Sequence, residues 1–137
     1  DLDKKNIRGV FYPLQTFSKE AEIDFSNVPI CIETANKNCL KLLKQLAEGI
    51  GSKSYRVNSE KRSSLHLADG FVYNFNNQLY RIAHEITEST STDFNILKPL
   101  ILETAKKVQT LSPYLAQTGP AKRNDKKTIK KHLKKLL

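Results

Sequence analysis

Between Arg62 and Ile86 the chain sets Leu65, Ala68, Val72, Phe75, Leu79, Ile82 and Ile86 at alternating steps of three and four. That is the spacing of a long helix with a single apolar seam, suited to packing or to pairing with another helix. Beside the seam run Arg62, His66, Tyr73, Asn74, Asn77 and Tyr80, hydrogen-bonding groups that a helix places alongside the apolar stripe rather than opposite it. The seam is expected to pack and the polar stripe to face a site.

The 57 residues before this helix alternate strand and helix signals. Arg8 to Tyr12 is a short β-rich run ended by Pro13, and Val28 to Ile32 is a second. Asn36 to Ile50 carries Leu40, Leu43, Leu46, Ala47 and Ile50 at helical spacing and stops at Gly49-Ile-Gly51, a plausible C-terminal cap. Lys53 to Val57 reads as a third strand. The order β, β, α, β resembles the closing part of an α/β sheet. Residues 1–57 are therefore read as that closing part and residues 58–137 as a helical domain.

Asn58 or Ser59 is a good N-cap for the long helix. The polar run Thr87 to Thr92 should end it, and a second helix should start near Asp93, with Pro99 imposing a kink or a restart. Ser112-Pro113 opens a short helix or turn, Gln117 to Pro120 is a tight loop, and an amphipathic basic helix closes the chain. The fold expected is mostly α with a small α/β part.

A net charge of +9 points first to nucleic acid, but its distribution argues otherwise. Residues from Lys122 onward hold +7 of it, leaving only +2 for residues 1–121. The tail from Lys126 to Leu137 sets Ile129, Leu133 and Leu136 against paired lysines, the pattern of a solvated amphipathic helix. Nucleic acid is thus an unfavoured partner. No apolar run approaches the roughly 20 residues of a membrane span. Cys31 and Cys39 stand eight apart outside any C-x-x-C pair and read as buried free thiols, which fits a cytoplasmic setting. The chain has no Met and begins Asp-Leu-Asp-Lys-Lys, as expected of part of something longer.

The chain lacks a complete nucleotide site, since Gly49-Ile-Gly51 has no third glycine and ends a helix instead of opening one. No metal site is expected, because His66 and His84 are five helical turns apart, about 27 Å at 1.5 Å per residue. His66 lies one turn beyond Arg62 and two turns before Asn74, where an imidazole can act as a general acid or base near neutral pH. Asn74, Asn76 and Asn77 are poor helix formers in mid-helix and suggest ligand binding or hydrogen bonds across an interface. Gln15, Thr16 and Ser18 follow a strand end, the edge at which α/β sheets bind ligands. Gln117, Thr118 and Arg123 bracket Gly119-Pro120 and offer a polar loop with an anion-binding guanidinium.

Three ordered motifs carry a resemblance: Gly9-Val-Phe-Tyr-Pro-Leu-Gln-Thr-Phe-Ser18, Ser64-Leu-His-Leu-Ala68 with Asn74-Phe-Asn-Asn77, and Ala116-Gln-Thr-Gly-Pro-Ala-Lys-Arg123. Over roughly residues 8 to 135 the chain resembles the C-terminal domain of Rossmann-like proteins provisionally named NADP oxidoreductases, domain of unknown function family 2520. The resemblance implies a helical domain like those of phosphogluconate dehydrogenase and pyrroline-carboxylate reductase relatives. It also implies a preceding Rossmann domain that holds most of the NADP. Carried over by matching positions, Gln15, Thr16, Ser18, His66, Asn74, Asn77, Gln117, Thr118 and Arg123 would be cleft residues. The first motif often has His before its Pro, where this chain has Tyr12. Related hydroxyacid dehydrogenases carry a Lys four residues before an Asn, where this chain has Gly70, so His66 is the nearest substitute for their catalytic group.

The resulting expectation is the helical substrate and dimerisation domain of an NADP-dependent oxidoreductase. His66 would be catalytic, and Gln15, Thr16, Ser18, Arg62, Asn74, Asn77, Gln117, Thr118 and Arg123 would bind a small-molecule substrate. A homodimer is expected through the 59–86 helix. The alternative is a binding or dimerisation module of the same fold without catalysis.

Overall fold

The computed structural model describes residues 6 to 136. It divides into a first unit ending at Arg81 and a second beginning at Ile82.

The first unit is built on a three-stranded sheet in the order β1 (Val10–Pro13), β2 (Ile30–Glu33), β3 (Ser54–Arg56). β1 runs antiparallel to β2, while β3 runs parallel to it after the crossover helix α1 (Lys37–Gly49). The three strands lie where the sequence places them, with bounds shifted by one or two residues, the usual uncertainty of element ends.

Helix α1 owes its limits to its caps. The Asn36 side chain accepts from the amides of Asn38 and Cys39, both at 2.9 Å. At the other end Gly51 has φ +78, and its N–H donates to the Glu48 carbonyl while that of Ser52 donates to Ala47. This is a Schellman closure, which needs the left-handed conformation glycine adopts without strain. Gly9 meets a different demand. A Cβ there would lie 2.9 Å from Cys39 Sγ and 3.0 Å from Leu43, so the missing side chain lets β1 approach α1.

β2 is the centre of the core. Ile30 and Ile32 are fully buried and pack with Val28 and Ala47, flanked by Phe11, Ile23, Phe25, Leu40 and Leu43. Alternation turns Cys31 and Glu33 to the opposite face. The register pairs Tyr12 with Cys31 and Val10 with Glu33, so Tyr12 shares that second face. Burial pushes the Cys31 thiol pKa up, against a smaller opposing pull from the Arg62 charge.

Over this second face begins the long helix. Asn58 caps it, accepting from the Lys61 amide at 2.9 Å. It runs as α2 (Ser59–Asp69), continues as a π-helical segment (Gly70–Phe75), and resumes as α3 (Asn76–Ser89). The sequence pattern predicts an uninterrupted α-helix, and the π segment is the departure. It begins at Gly70, the residue in the stretch with the least preference for regular helix, and the rings of Phe71 and Phe75 stack within it, centroids 4.8 Å apart. The helix also outlasts Ile86, because Ser89 and Thr90 hydroxyls donate back to the Ile86 carbonyl rather than breaking the helix. It ends at the turn containing Ser91, with φ 52.

In the second unit Asp93 caps a 3₁₀ turn (Phe94–Leu97) that leads into α4 (Lys98–Thr110). Pro99 sits in the first turn of α4, where its missing N–H costs nothing, so the restart is what occurs. A short α5 (Pro113–Ala116) and a basic α6 (Lys126–Leu136) follow. Asp125 starts α6 by accepting from the backbone N–H of Thr128 at 3.0 Å and its hydroxyl at 2.7 Å. No helix among the described residues is long and apolar enough to cross a membrane.

Candidate functional site

Beside the start of the long helix lies a cleft of about 400 Å³, in the size range of small-molecule sites. One wall is Leu14, Gln15 and Thr16, directly after β1, and the other is Leu65, Ala68, Asp69, Val72 and Tyr73. The helical set recurs at i, i+3, i+4, i+7 and i+8, one continuous stripe. Gln15 and Thr16 thus fall where the sequence expects ligand contacts, and the Gln15 side chain is bonded to the Thr16 amide at 2.9 Å. Ser18 is exposed and not part of the wall.

The first turns of the helix depart from the roles expected of the two stripes, although Tyr73 of the polar stripe does line the cleft. The apolar residues Leu65, Ala68 and Val72 line the cleft, whereas Ser59, Arg62 and His66, at i, i+3 and i+7, turn to the sheet. There the Glu33 carboxylate pairs with the Arg62 guanidinium and accepts from the Ser59 amide and hydroxyl, both at 2.9 Å. Arg62 is therefore engaged by Glu33 in this structure, not presented to the cleft. The Tyr12 hydroxyl lies 3.4 Å from His66 Nδ1, the long end of hydrogen-bonding distance. The departure from the family motif at Tyr12 and the histidine expected to replace the missing lysine are thus neighbours.

Hydrogen bonds from Arg62 and then Ser59 hold the Glu33 carboxyl below its ordinary value. A lowered carboxylate pKa contributes stability that is complete above the unfolded value, about 4.3, and is lost as pH falls through the lowered folded value. Acidification below about pH 4 is therefore expected to loosen the first turn of α2. Hydrogen exchange at the Ser59 amide checks this: protection should fall with pH in the native sequence, while Glu33→Gln should show weakened protection that no longer varies over that window.

The asparagines answer to the π segment. Asn76 and Asn77 donate their side-chain amides to the carbonyls of Val72 and Tyr73, at 2.8 and 3.1 Å, both inside the segment where the regular ladder is displaced. This is back-bonding to i−4, which compensates an irregular helix. The Asn77 amide is thereby committed locally. Asn74 is exposed.

Gln117, Thr118 and Arg123 belong to the second unit. The Arg123 guanidinium donates to the Thr118 carbonyl, closing the loop between α5 and α6. Gln117 and Thr118 line a separate cavity of about 340 Å³ together with Leu100, Thr104, Lys107 and Val108. A further cavity of about 390 Å³ sits at the carboxyl ends of β2 and β3, beside Thr34, Arg56, Asn58 and Lys61. Among the described residues no group of three or more His, Cys, Asp or Glu side chains is gathered around a metal-sized position.

The model of the domain of unknown function DUF2520 matches residues 28–137. The chain belongs to the DUF2520 family. A solved Bacteroides fragilis protein described as a "putative NADP oxidoreductase" is 45% identical, with a TM-score of 0.87, covering 93% of this chain and 49% of its own. A Thermotoga maritima protein is 23% identical with a TM-score of 0.76, covering 94% of this chain and 53% of its own, and shares the fold. The chain thus spans about half the length of these relatives. No curated protein matches it.

Within this DUF2520 chain the described residues do not fit a dinucleotide. Gly49 is the last residue of α1 and the Gly51 amide closes that helix, so this Gly-Ile-Gly run ends a helix and does not cradle a pyrophosphate at a helix start. Sequence reasoning missed two features of the site, Asp69 in the cleft wall and the π segment. Gly70 within a helical pattern, followed by three asparagines, was the available signal for the second.

Proposed function

We propose that this chain is the substrate and dimerisation domain of an NADP-dependent oxidoreductase, with the dinucleotide held mainly by residues outside these 137. The observation that carries the reading is the 45% identity over 93% of the chain to the Bacteroides fragilis protein, of which the chain spans 49%. Because no pyrophosphate cradle is found among the described residues, no chemical step through the cofactor is assigned here. The chain's own contribution is the cleft beside Leu65 and Val72, together with the Tyr12–His66 pair on the sheet-facing side of the same helix. An imidazole beside a phenol offers a general acid or base for the reaction. The cleft walls would position the reacting group.

The test is made on the full-length protein, by measuring NADPH oxidation across a panel of carbonyl and imine compounds. Consumption that depends on residues of this cleft supports the reading. Failure of the full-length protein to bind NADPH removes it and leaves the non-catalytic module.

A dimer through the long helix is part of the same proposal. Val72 is 72% exposed, Leu79 60% and Phe75 57%, and an apolar stripe of this length in water favours association. Phe75→Asp is expected to shift the protein to monomer in sedimentation equilibrium, with the circular dichroism unchanged. A native protein already monomeric at high micromolar concentration contradicts this.

A further inference from the structure

We propose that the cleft beside the long helix takes a ligand with an apolar body and an ammonium group, the ammonium seated on Asp69. This deepens the reading above, on which the cleft is the substrate site, by naming the class of substrate.

Among the described residues lining the cleft, Asp69 alone carries a charge; its neighbours Leu14, Leu65, Ala68 and Val72 are hydrocarbon. Asp69 is half-buried, and among the described residues no hydrogen bond or ion pair engages its carboxylate. The cation that the sequence pattern offers to this region is spent, because Arg62 is paired with Glu33. The Nδ1 of His66, one turn before Asp69, is turned to the Tyr12 hydroxyl.

A carboxylate beside carbon surface has lost part of its hydration and recovers it from a charged donor. Such charge-assisted bonds are roughly twice as strong as neutral ones. An anionic ligand would meet repulsion from Asp69 with no facing cation to offset it. A neutral ligand would leave the carboxylate unanswered. Tyr73, half-exposed at the same wall, adds an aromatic ring, a group more favourable to cations than to anions. The volume of about 400 Å³ suits a small ligand, not a peptide strand or helix.

The experiment uses the full-length protein and three probes with one hydrocarbon chain: hexylammonium, 1-hexanol and hexanoate. Binding is followed by chemical-shift changes of the Leu65 and Val72 methyl groups. The expected order is hexylammonium first, at least tenfold tighter than hexanol, with hexanoate last. Asp69→Asn should remove the tenfold preference and leave hexanol binding and NADPH affinity as they were, while Asp69→Glu should restore part of it. Hexanoate binding as tightly as hexylammonium overturns the inference, as does a preference that survives both Asp69→Asn and Asp69→Ala. NADPH consumption with carboxylate-bearing carbonyl compounds, insensitive to Asp69→Asn, would overturn it while upholding the oxidoreductase. Asp69-dependent ammonium binding by a protein that neither binds nor consumes NADPH would uphold it and remove the oxidoreductase.

Discussion

His66→Ala in the full-length protein is expected to lower turnover by about 10²- to 10⁴-fold, the range of a lost general acid or base, with NADPH affinity unchanged. The effect should fall on kcat and kcat/KM alike, because the imidazole is proposed to act on the reacting group and not to hold the substrate in the ground state. Tyr12→Phe keeps the imidazole but removes its partner 3.4 Å away. Its cost should be smaller and should fall on kcat rather than on KM, as expected of a positioning residue. Steady-state kinetics on any compound that supports NADPH oxidation checks both. Near-normal turnover of His66→Ala removes the histidine from the mechanism.

The second large effect concerns stability. Ile32 is fully buried in a core whose other fully enclosed members are Val28, Ile30 and Ala47. Ile32→Ala is expected to cost about 2–5 kcal/mol from lost transfer energy and the cavity left behind, a large share of the total for a domain of this size. Leu67→Ala, at a site 68% exposed, should stay within about 0.5 kcal/mol. Urea denaturation of the two variants gives the comparison. A cost below about 1 kcal/mol for Ile32→Ala would show that the sheet is not where the stability resides.

Ile32 and Leu67 are both leucine-like residues in regular elements, and the pattern around each reveals the element but not its burial. Ile30 and Ile32 lie in a short run of β-branched residues and are fully enclosed. Phe75 and Leu79 belong to the clearest apolar seam in the chain and are exposed. Periodicity reports which residues share a face. It does not report what, if anything, covers that face, since this is set by other parts of the chain or by other chains.

The local chemistry of the sequence by itself determined the elements. Asn36, Asn58 and Asp93 have side chains that cap helices, Gly51 permits the left-handed turn that closes α1, and Pro99 favours a helix start over a helix interior. These are short-range effects of one residue on its neighbours, so they can be read without a structure. Gln15 and Thr16 were likewise legible as polar residues just beyond a strand end, and in the structure they stand in the cleft wall; the role of His66 belongs to the proposal. Only the tertiary structure decided which stripe of the long helix faces what. Glu33 and Arg62 are 29 residues apart, and nothing local says that they meet. Their pairing turns Arg62 toward the sheet, with His66 beside Tyr12, and leaves Leu65, Val72, Asp69 and Tyr73 around the cleft. The π segment at Gly70 then re-sets the stripe beyond it, which a fixed helical period does not anticipate. Long-range pairing and a break in periodicity are properties of the folded chain as a whole, and for that reason the site's elements were readable in advance while its orientation was not.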